Sequence, residues 1–350
     1  MLRTADAVCN CSFSACSSAI FTSMSLICVV IFISSGESEI DFLRRLIKFD
    51  FLGLTTLTVI DQAVNLINNG DTIALGGCLY SRTPIAMIRE IIKKKLTDLT
   101  IIRNLVSLEG DWLLASNCLK KIITSWYSIG VTWGVSKVMR DYMENKKAIY
   151  EEWSHLGLNL RLKAAAMGVP FLPTFSMLGS DLLKNLSIKN FDCPYTGLEM
   201  CAVPAIFPDV AIIHAHRADQ YGNVQIDGPP FIDSDVAYSA TKVIVTVEEI
   251  ISNEKIRMTP DRTVIPFFCV DAVVEVPFGS FPHECYGLYE SDYEHFDEYT
   301  KMLKETNLKG LGKYLDKYIY KPDTFNDFLN IFSVKKIINR IQSGKEICNA

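Results

Sequence analysis

Gly70-Asp71-Thr72-Ile73-Ala74-Leu75-Gly76-Gly77, with Pro84 opening the segment that comes next, reads as a strand that ends in a glycine pair and leads into a helix. Thr72 to Leu75 is the β-branched and apolar run, and the glycines break it. From Pro84 to Lys95, Ile85, Ile88, Ile91 and Ile92 share one helical face. Upstream, Ala63, Val64 and Ile67 put Asp61 to Asn68 in a helix that stops at Asn69-Gly70. The alternation continues along the chain. It predicts strands at Leu99 to Ile102, Ile122 to Trp126, Val210 to Ala215, Val243 to Val247 and Ala272 to Val276, and helices near Lys137 to Glu144 and Leu156 to Met167. Continuously apolar strands between amphipathic helices predict an α/β fold, an open, largely parallel sheet sandwiched by helices. After Asp292 the pattern turns helical and aromatic, with Tyr293, Phe296, Tyr299, Tyr314, Tyr318 and Tyr320.

The chain has 350 residues, 49% of them hydrophobic, enough to bury the core of one large domain or two small ones. Lys and Arg number 35 against 40 Asp and Glu, a net charge of -5, so no basic field draws the chain to phosphate backbones or anionic lipid. Neither nucleic acid nor a membrane is an expected partner. Four of the eleven cysteines, Cys9, Cys11, Cys16 and Cys28, crowd the start, and the rest are scattered without a Cys-x-x-Cys spacing. That pattern predicts free thiols in a reducing cytoplasm. Residues 1–55 are Ser- and Cys-rich, with an apolar run from Ala19 to Ile33 that is shorter than the ~20 residues of a membrane span. The globular pattern begins abruptly near Thr55, so this segment is read as an extension outside the functional domain, a signal segment being the other reading.

Two clusters carry chemistry. At Gly76 and Gly77 the missing Cβ atoms allow a ligand to approach backbone N–H groups, and the glycines equally suit a tight strand-to-helix turn. No G-x-G-x-x-G is present, so a dinucleotide fingerprint is missing. In the second cluster, Pro208 to Ala215 runs as a strand into a turn at Ala218-Asp219 and Gly222-Asn223. His214 and His216 would share a face of a continuing strand, but no third ligand follows at metal spacing, so a metal is not expected. Asp219 and Asn223 suit the turn through side-chain bonds to local backbone. Among the acids, Glu109 before Gly110 reads as an exposed loop carboxylate, and Glu248-Glu249 end a strand.

Six blocks in register resemble the alpha (A) chains of family I coenzyme A-transferases of the glutaconate CoA-transferase type. They are the glycine-pair loop, Ala164 to Pro173, Gly179-Ser180-Asp181, Pro208 to Val224, Lys242 to Ile250 and Asp271 to Gly279, and they cover about Thr55 to Tyr299. The resemblance implies three segments: the extension 1–55, a CoA-transferase alpha-subunit domain over 56–300 and a C-terminal helical tail over 301–350. It implies a partner B (beta) subunit in a hetero-oligomer, acyl-CoA and a small carboxylic acid as substrates, no tightly bound cofactor, and a site at the subunit interface. It also implies a glutamate nucleophile on the B subunit, so this chain carries no expected catalytic residue, Glu109 and Glu248 being the acids to test. Its substrate and CoA-binding candidates are Gly76, Gly77, Ser81, Arg82, His214 and Asn223. The aromatic stretch Tyr293 to Tyr320 is expected to lie partly in the interface. Two alternatives remain open: a ring-opening acyl-CoA hydrolase of steroid breakdown, in which an acid precedes the Ala-rich run where this chain has His155, and a non-catalytic ligand-sensing domain.

Overall fold

The computed structural model of the chain describes residues 47–48 and 56–349, with side chains described from 60 to 346. Contacts divide the chain into Met1–Arg44 and Arg45–Ala350, and the second unit holds all the elements named below. The expectation for residues 1–55 lies outside the described residues, apart from Ile47–Lys48, which forms the short strand β1.

The strands in chain order are β1, β2 (Thr72–Leu75), β3 (Leu99–Ile102), β4 (Leu105–Val106), β5 (Leu119–Thr124), β6 (Trp126–Tyr127), β7 (Ile149–Glu152), β8 (Phe171–Thr174), β9 (Lys189–Asp192), β10 (Glu199–Pro204), β11 (Val210–Asp219), β12 (Val224–Gln225), β13 (Lys242–Ile251), β14 (Thr263–Ile265) and β15 (Ala272–Glu275). The main sheet runs β1-β15-β13-β11-β2-β3-β5-β7, and each neighbouring pair on that path is parallel. Antiparallel β12 and β14 extend it beside β11. From β2 the chain builds outward through β3, β5 and β7 in one direction, and from β11 through β13 and β15 in the other, with β1 at that far edge. Between β2 and β11 the order therefore reverses.

Two-residue periodicity explains the layers. Ile73, Leu75, Val210, Ile212 and Ile244 face one core, and their neighbours Ala74, Ala211, Ile213, Val243 and Val245 face the other. The first core takes helices Ile85–Lys93 and Leu108–Ala115; the second takes His155–Ala166 and Asp233–Ser239. Ser136 and Ser154 cap their helices by accepting the N–H groups of Met139 and Gly157, at 3.0 and 2.9 Å. Leu108–Ala115 shows no apolar stripe because it is buried all round, which is why it carries no helical period in the sequence. The three-stranded antiparallel sheet β8-β10-β9 is equally silent there, being mostly exposed and broken by Pro173 and Pro204.

The C-terminal helices pack largely against the core of this chain. Tyr299, Tyr314, Leu315, Tyr318, Ile319, Phe325, Phe328 and Phe332 are buried in the first core of this chain. Arg89, with no exposed surface, donates to the carbonyls of Tyr318, Ile319 and Pro322 and lies 4.7 Å from the Phe328 ring. Those aromatic rings pack against one another, while Tyr320 stays exposed. No helix of the described residues is long and apolar enough to cross a membrane.

Candidate active site

In an open parallel sheet, ligands bind outside the carboxyl ends of the strands where the order reverses, which here is the mouth between β2 and β11. The glycine loop leaves β2 at that place. Leu79, Arg82, Phe231 and Phe278 all hold φ between 50° and 62°, the left-handed region, and they belong to the three loops that meet there. Non-glycine residues held this way cost about 1–3 kcal/mol each and gather where surrounding structure over-determines them, often at functional sites.

Asp233 makes the loop possible. Its carboxylate accepts the Gly77 N–H at 2.7 Å and pairs with Arg82, and neither charged side chain is exposed. Arg82 also donates to the carbonyls of His214 and Pro229, at 3.1 and 2.9 Å. It is therefore a buried clamp, not the solvated charge that its sequence setting allows. Gly76 donates to Ile212 O at 2.9 Å. Both backbone N–H groups of the glycine pair are thus engaged within the chain, which corrects the expectation that they face a ligand. A Cβ at Gly77 would lie 2.2 Å from the Ser81 carbonyl oxygen, so the glycine serves the loop's closure on itself.

Ser81 stands at the mouth. Its N–H and C=O exchange bonds with Cys78 at 2.8 and 3.0 Å, and it bridges to Glu284. Arg82 N–H donates to Glu284 O, and Glu284 N–H to Tyr80 O, both at 2.9 Å. Burial raises the Glu284 carboxyl above the usual range, against the hydrogen bond from Ser81. Burial likewise pushes up the Cys78 thiol, with nearby Arg103 opposing.

His214 and Glu248 meet on adjacent strands. His214 Nε2 lies 2.7 Å from Glu248 Oε1, and its Nδ1 lies 2.8 Å from Thr246 Oγ1. Tyr289 OH donates to the same Glu248 oxygen at 2.6 Å, and Phe278 N–H donates to the other at 2.7 Å. His214, Glu248 and Cys285 form one group of potential metal ligands among the described residues. The direct histidine–carboxylate contact already engages His214 Nε2 and Glu248 Oε1, two of the atoms that would hold an ion. His216 turns away: its Nε2 contacts Tyr286 O at 2.8 Å, and burial lowers its pKa to about 4.

Two further candidates lie elsewhere. Asn223 donates to Asp219 at 2.8 Å and accepts Phe267 N–H at 3.3 Å, in the turn between β11 and β12. Glu109 is fully buried, 2.5 Å from Arg103 and accepting the Ser107 N–H at 3.0 Å, where the sequence predicts an exposed loop carboxylate. Glu151, near the Ala-rich run, holds Lys121 and Arg161 at 2.5 and 3.0 Å. Asp233 and Glu284 escape the sequence reading, because both partners of each contact are far apart in the chain. An acid after Pro229-Pro230 reads only as a helix start.

Residues 57–276 match the family model of coenzyme A transferase. The chain is 39% identical over 83% of its length to an uncharacterized protein of Archaeoglobus fulgidus, of which it spans 65%. It is 34% identical to the A subunit of the glutaconate CoA-transferase of Acidaminococcus fermentans, covering 81% of this chain and 93% of that one. The crystal structure of the Acidaminococcus enzyme superposes with a TM-score of 0.76, over 81% of this chain and 94% of that one. The A subunit of the 3-oxoadipate CoA-transferase of Pseudomonas knackmussii is 34% identical, over 78% of this chain and 96% of that one. On these matches and on the parallel sheet with its loop-lined switch point, the chain belongs to the coenzyme A transferase family, among its A subunits.

Proposed function

We propose that this chain is the A subunit of a two-chain CoA-transferase that moves CoA between an acyl-CoA and a carboxylic acid, and that a B subunit supplies the attacking glutamate. The carrying observation is that Asp233, Glu248 and Glu109 are each already held by donors of this chain. Asp233 holds Arg82 and Gly77, and Glu248 holds His214, Tyr289 and Phe278. Glu109, behind the loop, holds Arg103 and Ser107. A carboxylate locked by buried donors, or in a buried ion pair as Glu109 is through Oε1, is a poor nucleophile.

In the reaction that this reading implies, the partner's carboxylate attacks the thioester carbonyl and forms an acyl-glutamyl anhydride, releasing CoA thiolate. The thiolate then attacks the glutamyl carbonyl and expels the first acid, leaving a glutamyl-CoA thioester that an acceptor acid reverses. This chain would shape the crevice, with Ser81 and the loop around Gly76 and Gly77 at its mouth, and would exclude water on closure with its partner. CoA is a substrate here and not a resident cofactor, and a reducing cytoplasm suits the unbridged thiols at Cys78, Cys118, Cys193, Cys201 and Cys285.

The test compares the isolated chain with the assembled complex in an acyl-CoA exchange assay, with size-exclusion mass measurement and borohydride trapping of the glutamyl thioester. Exchange is expected only in the complex, with the trapped adduct on the partner. Turnover by the isolated chain, with an adduct on Glu109 or Glu248, would reverse the assignment.

A further inference from the structure

We infer that His155 and Asn159 bind a secondary amide of the pantetheine arm of acyl-CoA, on a shelf at the carboxyl ends of β3 and β5. The inference rests on the transferase reading above, and it assigns the shelf to the part of the substrate that every acyl-CoA shares. Ala74, Ile102 and Ile123 are in register on β2, β3 and β5 and face the second core. Two residues on, Gly76, Asn104 and Ser125 lie toward the same face. Asn104 therefore stands one strand spacing, about 4.8 Å, from the place where the glycine loop leaves β2, and Ser125 one spacing further. The helix His155–Ala166 covers that face, and its first turns meet the two strand ends through His155 and Asn159.

The hydrogen bonds fix which atoms remain free. Ser125 Oγ has one proton and donates it to Asn104 O at 2.7 Å, a carbonyl that can only accept. Toward His155 Nδ1, 2.8 Å away, the hydroxyl must therefore accept, so the His155 ring carries its proton on Nδ1. In that neutral ring Nε2 is an acceptor; it has no partner among the described residues, and the residue is exposed. Asn159 Oδ1 accepts from Asn104 Nδ2, which leaves Asn159 Nδ2 as a donor on a half-buried side chain. Asn104 is 7% exposed, and its Oδ1 is a buried acceptor without a hydrogen-bond partner among the described residues.

An acceptor at His155 and a donor at Asn159 thus sit one helical turn apart on one face, about 6 Å along the axis. A carboxylate brings only acceptors and an ammonium only donors, so each would satisfy one of the pair and oppose the other. A trans secondary amide fits both, because its N–H and C=O point in opposite directions and span the turn. The pantetheine arm carries two such amides whatever acyl group it bears. The unpartnered Asn104 Oδ1 calls for a donor at the same place, and the arm brings both N–H and O–H groups. Both side chains are held by the strand ends before a ligand arrives, which lowers the ordering cost of binding.

The test uses the complex copurified through a tag on this chain, with propionate as acceptor and either acetyl-pantetheine or S-ethyl thioacetate, which has no amide, as donor. His155→Phe keeps a ring and removes the acceptor, and Asn159→Asp keeps the bond to Asn104 and removes the donor. Each is expected to lower the ratio of kcat/KM for acetyl-pantetheine over S-ethyl thioacetate by about five- to tenfold, the scale of one hydrogen bond. Calorimetric titration with pantetheine is expected to show binding weaker by about the same factor in both variants, with the melting temperature held. Three results would overturn the inference: a ratio unchanged in either variant, a pantetheine affinity unchanged in either, or a shift in preference among acceptor acids while the ratio stays. Absence of exchange in the wild-type complex with both donors, alongside pantetheine binding that the variants weaken, sinks the transferase reading alone.

Discussion

Arg82 and Asp233 form an ion pair with no solvent exposure on either side chain, 151 residues apart in sequence, and it locks the loop after β2 to the helix Asp233–Ser239. Removing one partner leaves the other buried and uncompensated. Asp233→Ala is expected to cost about 3–5 kcal/mol, read as a lower urea midpoint with the m-value preserved. A loss under about 1 kcal/mol would mean that the loop is held by other contacts.

The two glycines Gly77 and Gly168 share a left-handed backbone, at φ +67° and +69°, but differ in surroundings. A Cβ at Gly77 meets backbone atoms of Ser81 and Arg82 at 2.2 to 2.9 Å, while nothing lies within 4 Å at Gly168. Gly77→Ala is expected to destabilise by on the order of 3 kcal/mol and Gly168→Ala by about 1 kcal/mol. Thermal denaturation of the pair checks the order; equal losses would leave only the φ effect.

The C-terminal helices are core and not appendage. Phe328, fully buried, packs edge-on against Trp112 at 6.4 Å and beneath Arg89. Phe328→Ala is expected to cost about 3–5 kcal/mol, and a chain ending at residue 300 is expected to be insoluble or unfolded by circular dichroism. A soluble, cooperatively melting truncation would contradict this placement.

Opposing titrations shape the pH dependence. Burial raises Asp111 to about 7, although Ser136, Tyr127 and Tyr299 donate hydroxyls to it. Its folded pKa exceeds its unfolded one, so its contribution is full below about 4 and fades as pH rises through 7. Asp111→Asn is expected to lose less stability than the wild type between pH 5 and pH 8, measured by urea midpoints.

Burial acts the other way on His295, lowered to about 3 with Lys336 and Lys317 nearby, its Nε2 lying 2.7 Å from Tyr314 OH. His216 is similarly lowered to about 4. Their contributions are present above about 6.5 and fade as pH falls toward those values. His295→Gln is expected to flatten the loss of stability between pH 6.5 and pH 4. An unchanged acid slope would show that other groups carry it.

Much of the fold is legible in the sequence. The apolar runs at Thr72–Leu75, Leu99–Ile102 and Val210–Ala215 are buried on both faces, so hydrophobicity alone announces a parallel sheet between helices. The Lys137–Glu144 helix can be read with its bounds because one face is apolar and Ser136 caps it. The six sequence blocks identify the family. What tertiary structure decides is the disposition of charge. Whether Arg82 is a solvated cation or a buried clamp depends on an aspartate supplied by another helix, and whether Glu109 is exposed depends on Arg103 folding back onto it. The glycine donors, open in the linear reading, are consumed by Ile212 and Asp233, and Glu284 reaches the mouth only because its backbone joins Tyr80 and Arg82. Periodicity reports which residues leave water, since burial follows local pattern; pairing between distant side chains has no local pattern, so only the folded sheet and its helices bring partners such as Arg82 and Asp233 together.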